Sequence, residues 1–131
     1  MKYLLDTDTL IDIALGRTVV EERLRALLER GETVGICAIT VAELYSGIPE
    51  VKRKKWAAFF APLPYWHISA EAAARAGIDR KNASERGLTL SVTDCLIAAV
   101  AREQQAIVLT SNSKDYPMKD VQVISLREEK T

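Results

Sequence analysis

The sequence has one histidine, His67, and two cysteines, Cys37 and Cys95, too few for most of the chemistry these residues serve. There is no Cys-x-x-Cys pair and no Cys/His spacing to hold zinc. The cysteines therefore read as reduced, buried, small apolar side chains. His67 stands between Trp66 and Ile68, away from any Ser or Cys in a nucleophile motif, and reads as packing. Neither Gly-x-x-x-x-Gly-Lys-[Ser/Thr] nor Gly-x-Gly-x-x-Gly occurs, which removes the glycine loops that cradle nucleotide phosphates. An excess of one charge is missing too, because Lys plus Arg and Asp plus Glu each number 18. The chain as a whole advertises no nucleic-acid or membrane partner, so any such contact must be local. Long apolar runs are absent as well. Asp6 interrupts the N-terminal stretch after three apolar residues, too soon for a signal peptide, and Cys95 to Ala101 is too short to cross a bilayer. A cytoplasmic chain without membrane contact is expected.

What is present fits one globular domain over residues 1–131, with 126–131 as a charged tail, since 48% of residues are apolar and 27% charged. Apolar spacing predicts strands at 2–5, 34–38, 65–68, 107–109 and 121–124. Helices are predicted at 9–15, 19–30, 40–47, 51–60, 69–86 and 91–104, with Gly16, Gly31 and Gly87 as stops. The helix over 69–86 is expected to turn Ala72, Ala73, Ala76 and Ile78 inward. Strands alternating with helices imply an α/β fold, a short, mostly parallel sheet of about five strands with helices on both faces in three layers. In such a sheet the residues just past the strands share one edge, where crevices form.

Asp6 follows the first predicted strand, Glu43 lies past the second, and Asp115 lies past the strand at 107–109, while Asp94 starts a helix. Thr40-x-x-Glu43, Ser91-x-x-Asp94 and Thr9-x-x-Asp12 each match the capping-box spacing, which explains acids one at a time as helix caps. Capping does not explain why four acids gather at one sheet edge. Clustered carboxylates repel unless a cation neutralises them, and oxygen ligands suit Mg²⁺ or Mn²⁺. Such an ion with open positions serves phosphodiester hydrolysis.

At these residues the chain resembles a PIN-domain ribonuclease, of the kind found as VapC-like toxins in toxin–antitoxin pairs. "LLDTDTLID" is similar to the first acidic motif, with Asp6 and Thr7; "ITVAELYSG" to the second, with Glu43; "TDCLIAAVA" to the third, with Asp94; and "VLTSNSKDY" to the fourth, with Asn112 and Asp115. The resemblance implies an endoribonuclease in which Asp6, Asp94 and Asp115 hold Mg²⁺ or Mn²⁺, Glu43 completes the acidic cup and orients the attacking water, and Thr7 and Asn112 face substrate. It also implies a cognate antitoxin and a homodimer. One departure stands out. The family often carries Arg after the Thr of the fourth motif, and Ser111 occupies that place, so a basic contact to substrate or carboxylates is expected to be missing.

Basic charge concentrates in "VKRKKW", where Lys54 and Lys55 are candidate contacts to RNA phosphates and Trp56 a stacking face. The alternative there is a solvated helix face with Trp56, Phe59 and Phe60 packed inward. Two other functions compete. Asp6-x-Asp8 after a strand resembles haloacid-dehalogenase-like phosphatases, but the remaining motifs of that family do not fit the 21 residues after Thr110. A PIN-like module that binds RNA or protein without cutting is the other. Asp8 is assigned to the turn or to helix capping, and Asp12 to the helix N-terminal charge.

Overall fold

Four short apolar segments, each followed by a helix or turn that reverses the chain, pair side by side to organise the molecule. The computed structural model describes residues 1–127. Its elements run β1 (Lys2–Leu5), α1 (Thr7–Ala14), α2 (Thr18–Glu29), β2 (Thr33–Gly35), α3 (Ala38–Gly47), α4 (Arg53–Phe60), α5 (Ala70–Glu85), α6 (Val92–Gln104), β3 (Ile107–Leu109) and β4 (Val123–Ile124). The sheet order is β2-β1-β3-β4 and every pairing is parallel. Leu5 lies opposite Leu109 in the register, so β1 and β3 end together and release Asp6 and Thr110 side by side.

Alternation along the strands builds two cores. Tyr3, Leu5, Ile107 and Leu109 face one side, packing with Leu10 of α1, Leu24 of α2, Leu44 of α3 and Trp56 and Phe60 of α4. Leu4 and Val108 face the other, against Ile97, Val100 and Ala101 of α6. Both faces of the sheet are thus covered, as continuous apolar strands require. The expected α/β layering holds, with four strands instead of about five. The predicted strand at 65–68 contracts to a single bridge between Tyr65 and Ile36. There the Trp66 ring lies flat across β2, so close that a Cβ on Gly35 would sit 2.4 Å from its Cζ3. Glycine at position 35 is what lets the ring cover the sheet edge.

Helix ends follow the punctuation. Gly31 and Gly87 take φ of 78°, a conformation that costs other residues a clash and lets each glycine close α2 and α5. The inner face of α5 differs from the expectation: Ala72, Ala76 and Ala83 are buried, whereas Ala73 is exposed and Ile78 is 55% exposed. Small side chains at those three positions bring α5 against Cys95 and Ala99 of α6. Both cysteines are free and buried. Leu126 joins the core and Arg127 bonds Asp12 of α1, so the segment expected to be a charged tail begins inside the fold; residues 128–131 lie outside the described residues. Among the described residues, no helix is long and apolar enough to cross a membrane.

Two buried threonines finish the strand ends. Thr40 Oγ1 donates to the Leu5 carbonyl at 2.7 Å, and Thr9 Oγ1 donates to the Leu109 carbonyl at 2.8 Å. Neither caps a helix as the spacing suggested: α1 and α3 start at Thr7 and Ala38, earlier than read, so Thr40 and Thr9 lie inside them facing the sheet. Replacing Thr40 with Val keeps its shape and strands a buried carbonyl. Urea unfolding is expected to show a loss of about 1–3 kcal/mol; an unchanged midpoint would rule out this role for the hydroxyl.

Candidate active site

Asp6 is the N-cap of α1, so it combines a strand end with a helix start. Its Oδ1 accepts from the Thr7 N–H at 2.7 Å and its Oδ2 from the Tyr116 hydroxyl at 2.6 Å. Both donors favour the charged form, yet burial outweighs them and, with Asp8 and Asp94 nearby, pushes the carboxyl up to about 7. Asp94 is likewise raised, first by burial and then by Asp115, Glu43 and Asp8, while a hydrogen bond with Ser91 opposes the shift. Ser91 is the N-cap of α6 and accepts from the Asp94 N–H at 3.1 Å. The capping reading and the site reading of Asp94 are therefore compatible. A helix N-terminus faces an acid whose side chain lies among other acids.

Glu43 is brought in by α3. The Thr7 hydroxyl donates to its Oε1 at 2.7 Å, joining the first and second motifs directly. Asp115 ends a one-turn 3₁₀ helix, Ser113–Asp115, and acts on Asp94 through its charge. Hence Asp6, Glu43, Asp94 and Asp115, far apart in sequence, share one electrostatic environment at the carboxyl ends of β1 and β3. Asn112 is exposed, with its N–H on the Thr110 hydroxyl at 3.1 Å.

The structure does not bring Lys54 and Lys55 to these acids. Both are exposed on α4, whose inner residues pack towards α1 and α2, and no lysine is among the principal charges acting on Asp6 or Asp94. Trp56 is buried edge-on to Phe59, with ring centroids 5.5 Å apart, and offers no stacking face. Lys55 instead borders an apolar cavity of about 220 Å³ between α1, α2 and α4. His67 is exposed with its ring against Tyr65, not packed in the core as read.

Three participants escaped the sequence reading. Asp8 neither caps nor merely turns: it accepts from the Thr110 hydroxyl at 2.9 Å and the Ser111 N–H at 3.1 Å, tying α1 to the loop after β3. Burial leads its upward shift. Asp12 is buried, with a bidentate bond from Arg127 at 2.7 and 2.5 Å and another from the Ser111 hydroxyl at 2.6 Å. Arg127 is the first cause holding Asp12 below the usual carboxylate range. A guanidinium from the far end of the described chain thus meets the same Asp12 carboxylate as Ser111. Tyr116 is the third. An aromatic beside an acid is the only local signal it carries.

The donors fit a hard divalent ion by chemistry: all are oxygens, and Asp6 and Asp94 are pushed towards their neutral forms first by burial and then by neighbouring acids, a repulsion that positive charge would relieve. Among the described residues, no three His, Cys, Asp or Glu side chains form a group able to hold a metal ion. Mg²⁺ asks for less than such a cage, being content with one or two carboxylates and several waters.

Comparison with known proteins identifies the family. The PIN domain family matches residues 3–122. Ribonuclease VapC19 of Mycobacterium tuberculosis is 31% identical over 118 residues, covering 88% of this chain and 92% of that protein. In the crystal structure of VapBC2 from Rickettsia felis bound to a DNA fragment from their promoter, a chain superposes with a TM-score of 0.80 at 25% identity, covering 95% of this chain and 98% of that one. FitAcB from Neisseria gonorrhoeae superposes with a TM-score of 0.76 at 26% identity, covering 97% and 99%. The chain belongs to the PIN domain family and is closely related to the VapC toxins of toxin–antitoxin systems.

Proposed function

We propose that the protein is a Mg²⁺- or Mn²⁺-dependent endoribonuclease that acts as the toxin of a VapBC-type pair. The observation that carries this reading is the convergence of Asp6, Glu43, Asp94 and Asp115 on one sheet edge, with Asp6 shifted to about 7. Asp6 and Asp94 would hold the cation, with Asp115 adding charge. When bound, the cation supplies charge against the phosphate and makes a neighbouring water more acidic. Asp6, buried and hydrogen-bonded at both oxygens, keeps them in place without reorganisation. Glu43, which accepts from the Thr7 hydroxyl, would take a proton from an attacking water. Asn112, exposed on the loop after β3, faces incoming RNA. The relatives crystallised as VapBC and FitAB assemblies support a cognate antitoxin as partner; a homodimer belongs to the same reading.

The test is cleavage of RNA by the purified chain. Activity is expected with Mg²⁺ or Mn²⁺, to vanish on adding excess EDTA, and to return when the metal is restored. Equal cutting in EDTA would overturn the metal-dependent mechanism.

A further inference from the structure

The Tyr116 ring is held in the core with Leu4, Ile97, Val108 and Val121, and is 4% exposed, so packing fixes where its hydroxyl points. It points at Asp6 Oδ2, at 2.6 Å, the short distance of a charge-assisted bond. Oδ1 of the same carboxylate takes the Thr7 N–H. Asp6 is therefore tethered at both oxygens, one donor coming from its own helix and the other from the segment just after Asp115. A carboxylate held this way cannot swing to chelate through both oxygens. It suits an ion with strict octahedral demands, and it penalises Ca²⁺, which prefers flexible and often bidentate oxygens.

Resting on the reading of Asp6 as a cation ligand, we propose that Tyr116 is a positioning residue that makes the site select Mg²⁺ and Mn²⁺ over Ca²⁺. Its hydroxyl acts through Asp6, the group to which it donates. It acts by denying Asp6 the freedom a larger ion needs. Orienting partners of metal ligands commonly change affinity by about 10–100-fold when removed.

The experiment titrates the full chain with Mn²⁺ and, separately, Ca²⁺ by calorimetry, comparing wild type with Tyr116→Phe, which keeps the ring and the packing. Wild type is expected to bind Mn²⁺ at least about tenfold more tightly than Ca²⁺. In Tyr116→Phe, Mn²⁺ binding should weaken about tenfold or more while Ca²⁺ binding holds or tightens, so the preference narrows. RNA cleavage should lose kcat with KM unchanged. Equal weakening of both ions, or no change in the ratio, would overturn the proposal and leave Tyr116 a structural residue. Should Tyr116→Phe not fold, the wild-type preference decides alone, and equal affinities for the two ions sink the idea. The nuclease reading is separable: it survives if wild type binds Mn²⁺ and cuts RNA with an unmoved ratio. It falls, together with this proposal, if wild type binds neither ion.

Discussion

Replacing Asp6 with Asn is expected to abolish metal-dependent RNA cleavage while making the cation-free protein more stable. Activity should fall by about 10²–10³-fold or more, the scale on which single preorganised electrostatic groups act, and Asp94→Ala should match it. The stability gain follows from linkage. Asp6 is raised from 3.8 to about 7 in the folded chain, so the folded state holds its proton more tightly than the unfolded state does. The stability this group contributes is present below pH 4 and is lost as pH rises through about 7. At pH 8 the wild-type carboxylate is a buried charge among like charges, and the full linkage is at most about 4 kcal/mol. Asn recovers only part of that, because one carbonyl oxygen cannot serve both the Thr7 N–H and the Tyr116 hydroxyl. Urea unfolding in EDTA at pH 5 and pH 8 checks the sign. The variant's advantage should be larger at pH 8, and an advantage independent of pH would contradict the assigned environment of Asp6. Adding Mn²⁺ should stabilise wild type and leave Asp6→Asn nearly unmoved, since ligand binding to the native state is itself a source of stability.

Asp12→Ala should be strongly destabilising although it lies outside the acid cluster, with an expected loss on the order of 2–4 kcal/mol. Three groups lose their acceptor at once: Arg127, Arg17 at 3.4 Å and the Ser111 hydroxyl. The clamp also holds Leu126 in the core and steadies Ser111, whose N–H bonds Asp8. Arg127→Ala should cost less, because Arg17 remains beside the buried carboxylate. The pH dependence runs opposite to that of Asp6. Arg127 holds Asp12 below the ordinary carboxylate range, so its stabilisation is present above pH 4 and fades as pH falls through the lowered value. In acid, wild type and Asp12→Ala should therefore converge. Thermal unfolding at pH 7 and pH 3 tests this; a gap that persists undiminished in acid would mean that packing, not the ion pair, carries the effect.

The unequal legibility of these residues has a physical basis. Asp6, Glu43 and Asp115 stand out because they follow apolar strand segments, whose carboxyl ends parallel pairing sends to a common edge, and Asp94 because it opens an apolar helix. The Ser91 cap of Asp94 was visible for a similar reason, since both partners lie within one helical turn. Thr40 and Thr9 have the same local spacing and a different fate. Their hydroxyls serve strand-end carbonyls of Leu5 and Leu109, 35 and 100 residues away. Asp8 and Asp12 were assigned to their own helix because the groups they hold, at positions 110, 111 and 127, come from the opposite end of the described chain.

By itself the sequence determined the alternation of strands and helices, the glycine stops and the identity of the acids, because each is written in neighbours within a turn or a strand. Tertiary structure alone decided which carboxylates carry repelled charge and which are neutralised. Asp6 and Asp12 lie six residues apart near one helix, yet one is pushed up by burial and other acids while the other is held down by Arg127. Through-space charge and burial set that difference, and neither follows from spacing along the chain.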